Sequence, residues 1–247
     1  MHLPDHSNLE TPEQILSRLY DIPYRRAWWQ AIEHLAWFGG AAVPNLIEAL
    51  RANSVPVRRV AAQALGRIGP TARPATRILL DCLFDNAYEV RFDAAWALAR
   101  IAPSLKAALP LLIGRLAAEE NRSVQVHLLR ILGNIGPAAQ PALALIYPKL
   151  DDPYLFRDAL YALRAIDPTD DQFLQALYCQ LTTVDAPFQA LAAEMVGKMR
   201  LNSPEWVNSL ITATKSRHAK TRHAARNALA KIHSVKPERV QPHQQSV

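Results

Sequence analysis

Val57-Arg58-Arg59-Val60-Ala61-Ala62-Gln63-Ala64-Leu65-Gly66-Arg67-Ile68-Gly69-Pro70 decides the fold. Its apolar residues recur at helical spacing, and Gly-Pro closes it: glycine supplies the cap and proline cannot continue the helix. The same pattern returns from Val90-Arg91 through Leu98, Ile101 and Pro103, and again from Val124 through Leu132-Gly133-Asn134-Ile135-Gly136-Pro137. Looser copies run from Leu155 to Pro168, Phe188 to Met199 and Thr221 to Ile232, and a degenerate first copy runs from Ala27 to Gly39. The anchors Leu35, Leu65, Leu98, Leu132, Leu163, Val196 and Leu229 are separated by 30, 33, 34, 31, 33 and 33 residues. A period of this length marks a solenoid whose units cannot bury their apolar stripe alone and so must stack.

Relative to each anchor, positions −8, −4, −1, 0 and +3 are almost always apolar, and at 100° per residue they share one helix face. A second helix is expected in most copies, for example over Pro44 to Arg51, Arg73 to Leu83 and Pro141 to Leu150. Thr11-Pro12-Glu13-Gln14, Thr169-Asp170-Asp171-Gln172 and Ser203-Pro204-Glu205 read as helix starts with a hydroxyl cap, two of them completing a capping box. Turns fall at Asn53-Ser54, Asp85-Asn86, Glu120-Asn121, Asp151-Asp152 and Asp185-Ala186. Each unit therefore reads as helix A, turn, helix B, turn. Seven such units form one repeat domain over residues 11–233, with a flexible segment at 1–10 and a polar, basic, disordered tail at 234–247. Strands have no place in the scheme.

The pattern resembles the short HEAT-like repeat of the phycobilisome lyase type over about nine-tenths of the chain. Tetratricopeptide and ankyrin repeats share the period, but neither Trp-x-x-Leu-Gly nor Thr-Pro-Leu-His occurs. The resemblance implies an all-α, right-handed α-solenoid of about seven HEAT-like hairpins, with the B helices lining a concave side. Positions −9, −6, −2 and +2 would then form the inner surface. They hold Trp29, Arg59, Arg67, Phe92, Trp96, Arg100, Arg130, Arg157 and Tyr161, which are the candidate partner-binding residues. Aromatic residues and arginine are enriched at binding hot spots. A bland alternative has the tryptophans packing between repeats. Arg58, Arg91 and Arg222 at −7 are expected to bond the neighbouring turns, Arg91 with Asp85.

The net charge of +6, from 28 Lys and Arg against 22 Asp and Glu, favours acidic partners without identifying them. Cys82 and Cys179 stand far apart in apolar surroundings and read as buried small hydrophobes. No signal peptide and no apolar run of membrane-spanning length is read, so a cytoplasmic location is expected. Iron-binding HEAT-like hydroxylases use His-Glu dipeptides; here Glu33-His34 is reversed and His34 falls at −1 on the buried stripe. His218 and His223, five apart, are poorly spaced as metal ligands on one face. No phosphate loop or nucleophile elbow appears, so no catalytic residue, metal or cofactor is assigned. The leading expectation is a non-catalytic scaffold for a protein partner with an acidic or aromatic segment. A phycobiliprotein-associated factor, handling bilin attachment or removal, comes second. A nucleic-acid binder comes third, with weak binding through a basic cluster from Lys215 to Arg239.

Overall fold

The computed structural model describes residues 10–19, 25–101 and 105–234. The termini expected to be flexible fall almost entirely outside the described residues, as does Pro103. The described residues are helical, without strands, and alternate A and B helices in the expected order. The A helices are α1 (Pro12–Arg18), α3 (Val43–Ala49), α5 (Thr76–Asp81), α7 (Leu109–Ala118), α9 (Leu143–Ile146), α11 (Asp171–Thr182) and α13 (Pro204–Ala213). The B helices are α2 (Arg25–Trp37), α4 (Val55–Ile68), α6 (Tyr88–Ile101), α8 (Arg122–Ile135), α10 (Phe156–Ile166), α12 (Gln189–Met199) and α14 (Ala219–His233). The chain divides into two compact units, residues 1–168 with repeats one to five and residues 169–247 with repeats six and seven. In the first unit α2, α4, α6, α8 and α10 pack in sequence; in the second α12 packs on α14. The fold is an all-α solenoid.

The Ile-Gly-Pro signal ends α4 and α8 as its chemistry requires. Gly69 and Gly136 both adopt φ of +71°, a left-handed conformation that costs glycine little. Their N–H groups return to Leu65 and Leu132, and a 3₁₀ turn then leads into the next A helix. The stripe predicted from the period is the core: Val57, Ala61 and Leu65, Val90, Ala94 and Leu98, and Val124, Leu128 and Leu132 are all buried. At α1 the Thr11 hydroxyl and the Gln14 side chain complete the capping box. At α11 the cap is Asp170, which accepts from the Phe173 N–H at 2.8 Å, rather than Thr169. Ser203 takes the cap position of α13 without a side-chain capping bond.

The −7 residues tie turns together, with one correction. Arg58 grips the Asp85 carboxylate with Nε and Nη2 at 2.7 and 2.9 Å, while Nη1 donates to the Ala52 and Asn53 carbonyls of its own turn. Arg91 repeats the grip, but its carboxylate is Glu119, at 2.9 and 3.0 Å; from Asp85 it takes only the backbone carbonyl. The Asp85 carboxylate is already held by the preceding repeat. Arg222 bonds the Ser216 and Arg217 carbonyls, and Gln125 and Gln189 fill the same role at −7 in repeats four and six.

Two other expectations change. Cys82 is buried beside Asp85, and burial, reinforced by that carboxylate, pushes its thiol up to about 11. Cys179 is exposed, because the buried face of α11 is Phe173, Leu177 and Leu181 and Cys179 lies across the helix from it. His34 is exposed although −1 is buried in every later repeat. In repeats three, five and seven the −1 alanine is covered by the +1 glycine of the preceding B helix, and among the described residues no B helix precedes α2.

That cover sets the helix spacing. A Cβ at Gly66, Gly133 or Gly197, all at +1, would lie 3.0, 3.2 or 2.6 Å from the Cα of Ala97, Ala162 or Ala228, all at −1. In an open helix Gly→Ala stabilises by about 1 kcal/mol. At Gly197 the new methyl meets backbone, and overpacking costs about 1–3 kcal/mol. Gly197→Ala is therefore expected to lower the melting midpoint. A raised midpoint in a thermal scan would show that α12 and α14 part easily.

Candidate functional site

The close approach brings the outward side chains of one B helix over the next. Positions −6 and −2 of a repeat reach across position −5 of its successor, so −5 is buried although it lies outside the apolar stripe. Asp93, His127 and Asp158 occupy it in repeats three to five, at 2, 5 and 5% exposure. Arg59 Nε and Gln63 Nε2, on α4, each donate to Asp93 at 2.8 Å. Phe92, on α6, meets the His127 ring edge-on with centroids 4.8 Å apart. Arg130 Nε, on α8, donates to Asp158 Oδ1 at 2.8 Å, and Arg157 Nη2 lies 3.5 Å from Oδ2. These three buried groups were missed by the helical wheel. Only their polarity, at an equivalent position in consecutive repeats, could have signalled them.

The nine predicted residues fall into three clusters in the first unit. In the first, the Arg67 guanidinium stacks 4.1 Å above the Trp29 ring and pairs with Glu33, and Trp29 remains 54% exposed. In the second, Trp96 is half-buried with its ring over Gly66, where an added Cβ would stand 2.3 Å from Cζ3. Arg100 covers that ring at 5.0 Å and donates Nε to the Gly66 carbonyl at 2.8 Å. Trp96 thus packs between repeats, as the alternative reading had it, while sharing a face with Arg59 and Phe92. The third is Arg130, Arg157 and Tyr161, all exposed to a third or more of their side-chain or residue surface.

The cationic excess on this face is smaller than the sequence implies. Arg59, Arg67, Arg130 and Arg157 have Asp93, Glu33 and Asp158 as partners, and Arg100 has a carbonyl. Burial raises the Asp93 carboxyl, opposed by Arg59 and Gln63. Burial, helped by Arg130 and opposed by Asp158, lowers His127 to about 4, and its Nδ1 is buried without a hydrogen bond. At Glu119 burial acts upward, but Arg91, the Asn121 N–H and Arg115 outweigh it and the carboxyl is lowered.

A groove lies elsewhere, in the second unit between α11 and α13. It holds about 590 Å³ and is lined by Tyr178, Leu181, Asp185, Ser209, Thr212 and Arg217 among others. The basic C-terminal cluster is also partly committed: Arg217 pairs with Asp185 at 2.7 Å, and Arg222 is bound to its turn. Lys236 and Arg239 lie outside the described residues. Among the described residues no group of three or more His, Cys, Asp and Glu side chains is placed to hold a metal, and no helix is long and apolar enough to cross a membrane.

Hairpins of this length, stacked through small residues and joined by side-chain bridges between successive B helices, form an armadillo-like α-solenoid with HEAT-type repeats. The model of the HEAT repeats family matches residues 13–99 and 43–125, a little under half of the chain. No curated protein sequence matches. Among solved structures, an engineered protein is similar over 91% of this chain and 69% of its own, at 21% identity and a TM-score of 0.58. The complex of CpcE and CpcF of phycocyanin lyase from Nostoc sp. PCC7120 is similar over 94% of this chain and 98% of its own, at 22% identity and 0.54. A designed armadillo repeat protein is similar over 90% of this chain and 100% of its own, at 18% identity and 0.50. At these identities the likeness is one of fold.

His127 gives the site a pH signature. Its folded pKa lies below the unfolded value, so from pH 6.5 down to about 4 the unfolded chain binds the extra proton and stability is lost as pH falls. The loss attributable to this residue reaches about 3 kcal/mol. Glu119 adds to acid loss, Asp93 opposes it, and both titrate alike in a His127→Gln variant. Denaturant melts at pH 7 and pH 4.5 are expected to show a smaller acid loss for His127→Gln than for the native chain. Equal losses would mean that the imidazole is solvated.

Proposed function

We propose that this chain is a non-catalytic adaptor that holds a protein partner along the B-helix face of repeats one to five. The observation that carries the reading is the exposure of Trp29 and Tyr161, 54% and 36%, on a face shared with arginines that retain unbonded N–H groups. Large aromatic rings standing in water contribute binding free energy when covered, and arginines restrained at Nε lose little further freedom on docking. The arginines favour an acidic segment in the partner. A second reading, in which the partner is a phycobiliprotein or its bilin, draws on the fold shared with the phycocyanin lyase complex and on the pairing of cations with indole rings. Visible absorbance retained after gel filtration with a bilin would favour that reading over a plain protein adaptor.

A photo-crosslinking side chain placed at position 29 or 161 is expected to trap the same protein, while one at Arg77, exposed on α5, traps none. Crosslinks from Arg77 alone would sink the assignment. Trp29→Ala is expected to weaken partner binding by about 2 kcal/mol. Its melting midpoint should stay within the small range of surface substitutions.

A further inference from the structure

The arginines on the B-helix face are not equivalent once their partners are counted. Arg59 faces one buried carboxylate, Asp93, and Arg67 faces one exposed carboxylate, Glu33. At each of these places one cation meets one anion. Around Asp158 the count differs, because two guanidiniums, Arg130 and Arg157, converge on a single carboxylate. Asp158 is 5% exposed and lies beneath them, whereas their side chains are 44 and 58% exposed. Arg130 spends only Nε on Asp158, at 2.8 Å, which leaves its planar Nη pair unbonded. Arg157 approaches through one Nη at 3.5 Å, too long for a strong hydrogen bond. One turn after Arg157 on the same face of α10 stands Tyr161, exposed, its hydroxyl without a hydrogen bond.

We infer that Arg130, Arg157 and Tyr161 form a seat for one carboxylate of an Asp or Glu side chain in the partner, with Asp158 as the positioning residue beneath it. The inference rests on the adaptor reading and specifies where the partner's charge goes. Two guanidiniums and one carboxylate leave one positive charge, which a carboxylate neutralises. A phosphate, carrying about −1.5 to −2, would leave net negative charge against a buried anion. The geometry also suits a planar oxyanion. The Arg130 Nη pair offers a bidentate fork, and Arg157 and the Tyr161 hydroxyl offer further donors. Asp158 restrains the fork in advance, so less rotamer freedom is lost when the ligand arrives.

The test uses the full chain and a displayed library of random dodecapeptides, with enriched peptides resynthesised for fluorescence anisotropy. Enriched peptides are expected to contain Asp or Glu. Replacing the key acid by its amide should weaken binding tenfold or more, and phosphoserine at that place should not tighten it. Arg157→Gln, in an exposed side chain, and Tyr161→Phe should each weaken binding several-fold with unchanged melting, while Arg77→Gln, on the exposed side of α5, leaves it intact. Arg130→Lys keeps the charge but removes the fork, and should also weaken binding. Acidic peptides that bind Arg157→Gln as well as the native chain, but fail on Arg100→Gln or Trp29→Ala, would overturn the seat and leave the adaptor reading standing. Tighter binding of the phosphoserine peptide would overturn the choice of a carboxylate. Enrichment only of peptides indifferent to every one of these substitutions would overturn the seat and the adaptor reading together.

Discussion

Contact between the backbone of one B helix and the next governs much of what each unit displays. Where Gly66 meets Ala97, Gly133 meets Ala162 and Gly197 meets Ala228, no side chain separates the helices. Interiors pack densely and tolerate little intrusion, so this contact fixes the spacing within narrow limits. At that spacing an arginine or glutamine of one helix spans to its successor and a phenylalanine reaches an imidazole.

The bridges that result are electrostatically economical in an uneven way. A buried carboxylate without a partner is strongly unfavourable, and Asp93 and Asp158 are tolerable only because the preceding helix covers and pairs them. His127 takes the other course and stays neutral, shielded by Phe92. The face is therefore a lattice of interlocked groups. Its unbonded guanidinium N–H groups are concentrated at Arg130 and Arg157, where pairing is incomplete.

The fold was open to reading from sequence because it rests on short-range periodicity: anchors from Leu35 to Leu229, Gly-Pro terminators, and small residues at +1. Among the described residues none of the outward positions −9, −6, −2 and +2 is buried in the core, although Trp96 at −2 packs on Gly66. What the wheel could not reach was the relation between wheels. It treats a helix as alone in solvent, so it could not show that −5 is covered by the previous repeat, that His34 lacks such cover, or that the carboxylate for Arg91 is Glu119 rather than Asp85. Cys179 failed for a simpler reason: apolar neighbours in sequence do not share its face of α11.

The −7 links have a direction, and the direction bears on how such an array can change length. Arg58 holds the acid of the following turn, Asp85, and Arg91 holds the acid of the turn after that, Glu119. Donor and acceptor in each link thus belong to different repeats, so the link belongs to the junction rather than to the unit. Removing one whole hairpin between the anchors Leu65 and Leu98 would bring Arg58 opposite Glu119, a carboxylate again. The broken junction would heal with the same chemistry. For the −7 link, in-frame loss or gain of a full period at this point exchanges one acid for another, whereas loss of Asp85 without Arg58 leaves the guanidinium unpaired. Whole repeats, not parts of them, are in this sense the interchangeable pieces of the first unit.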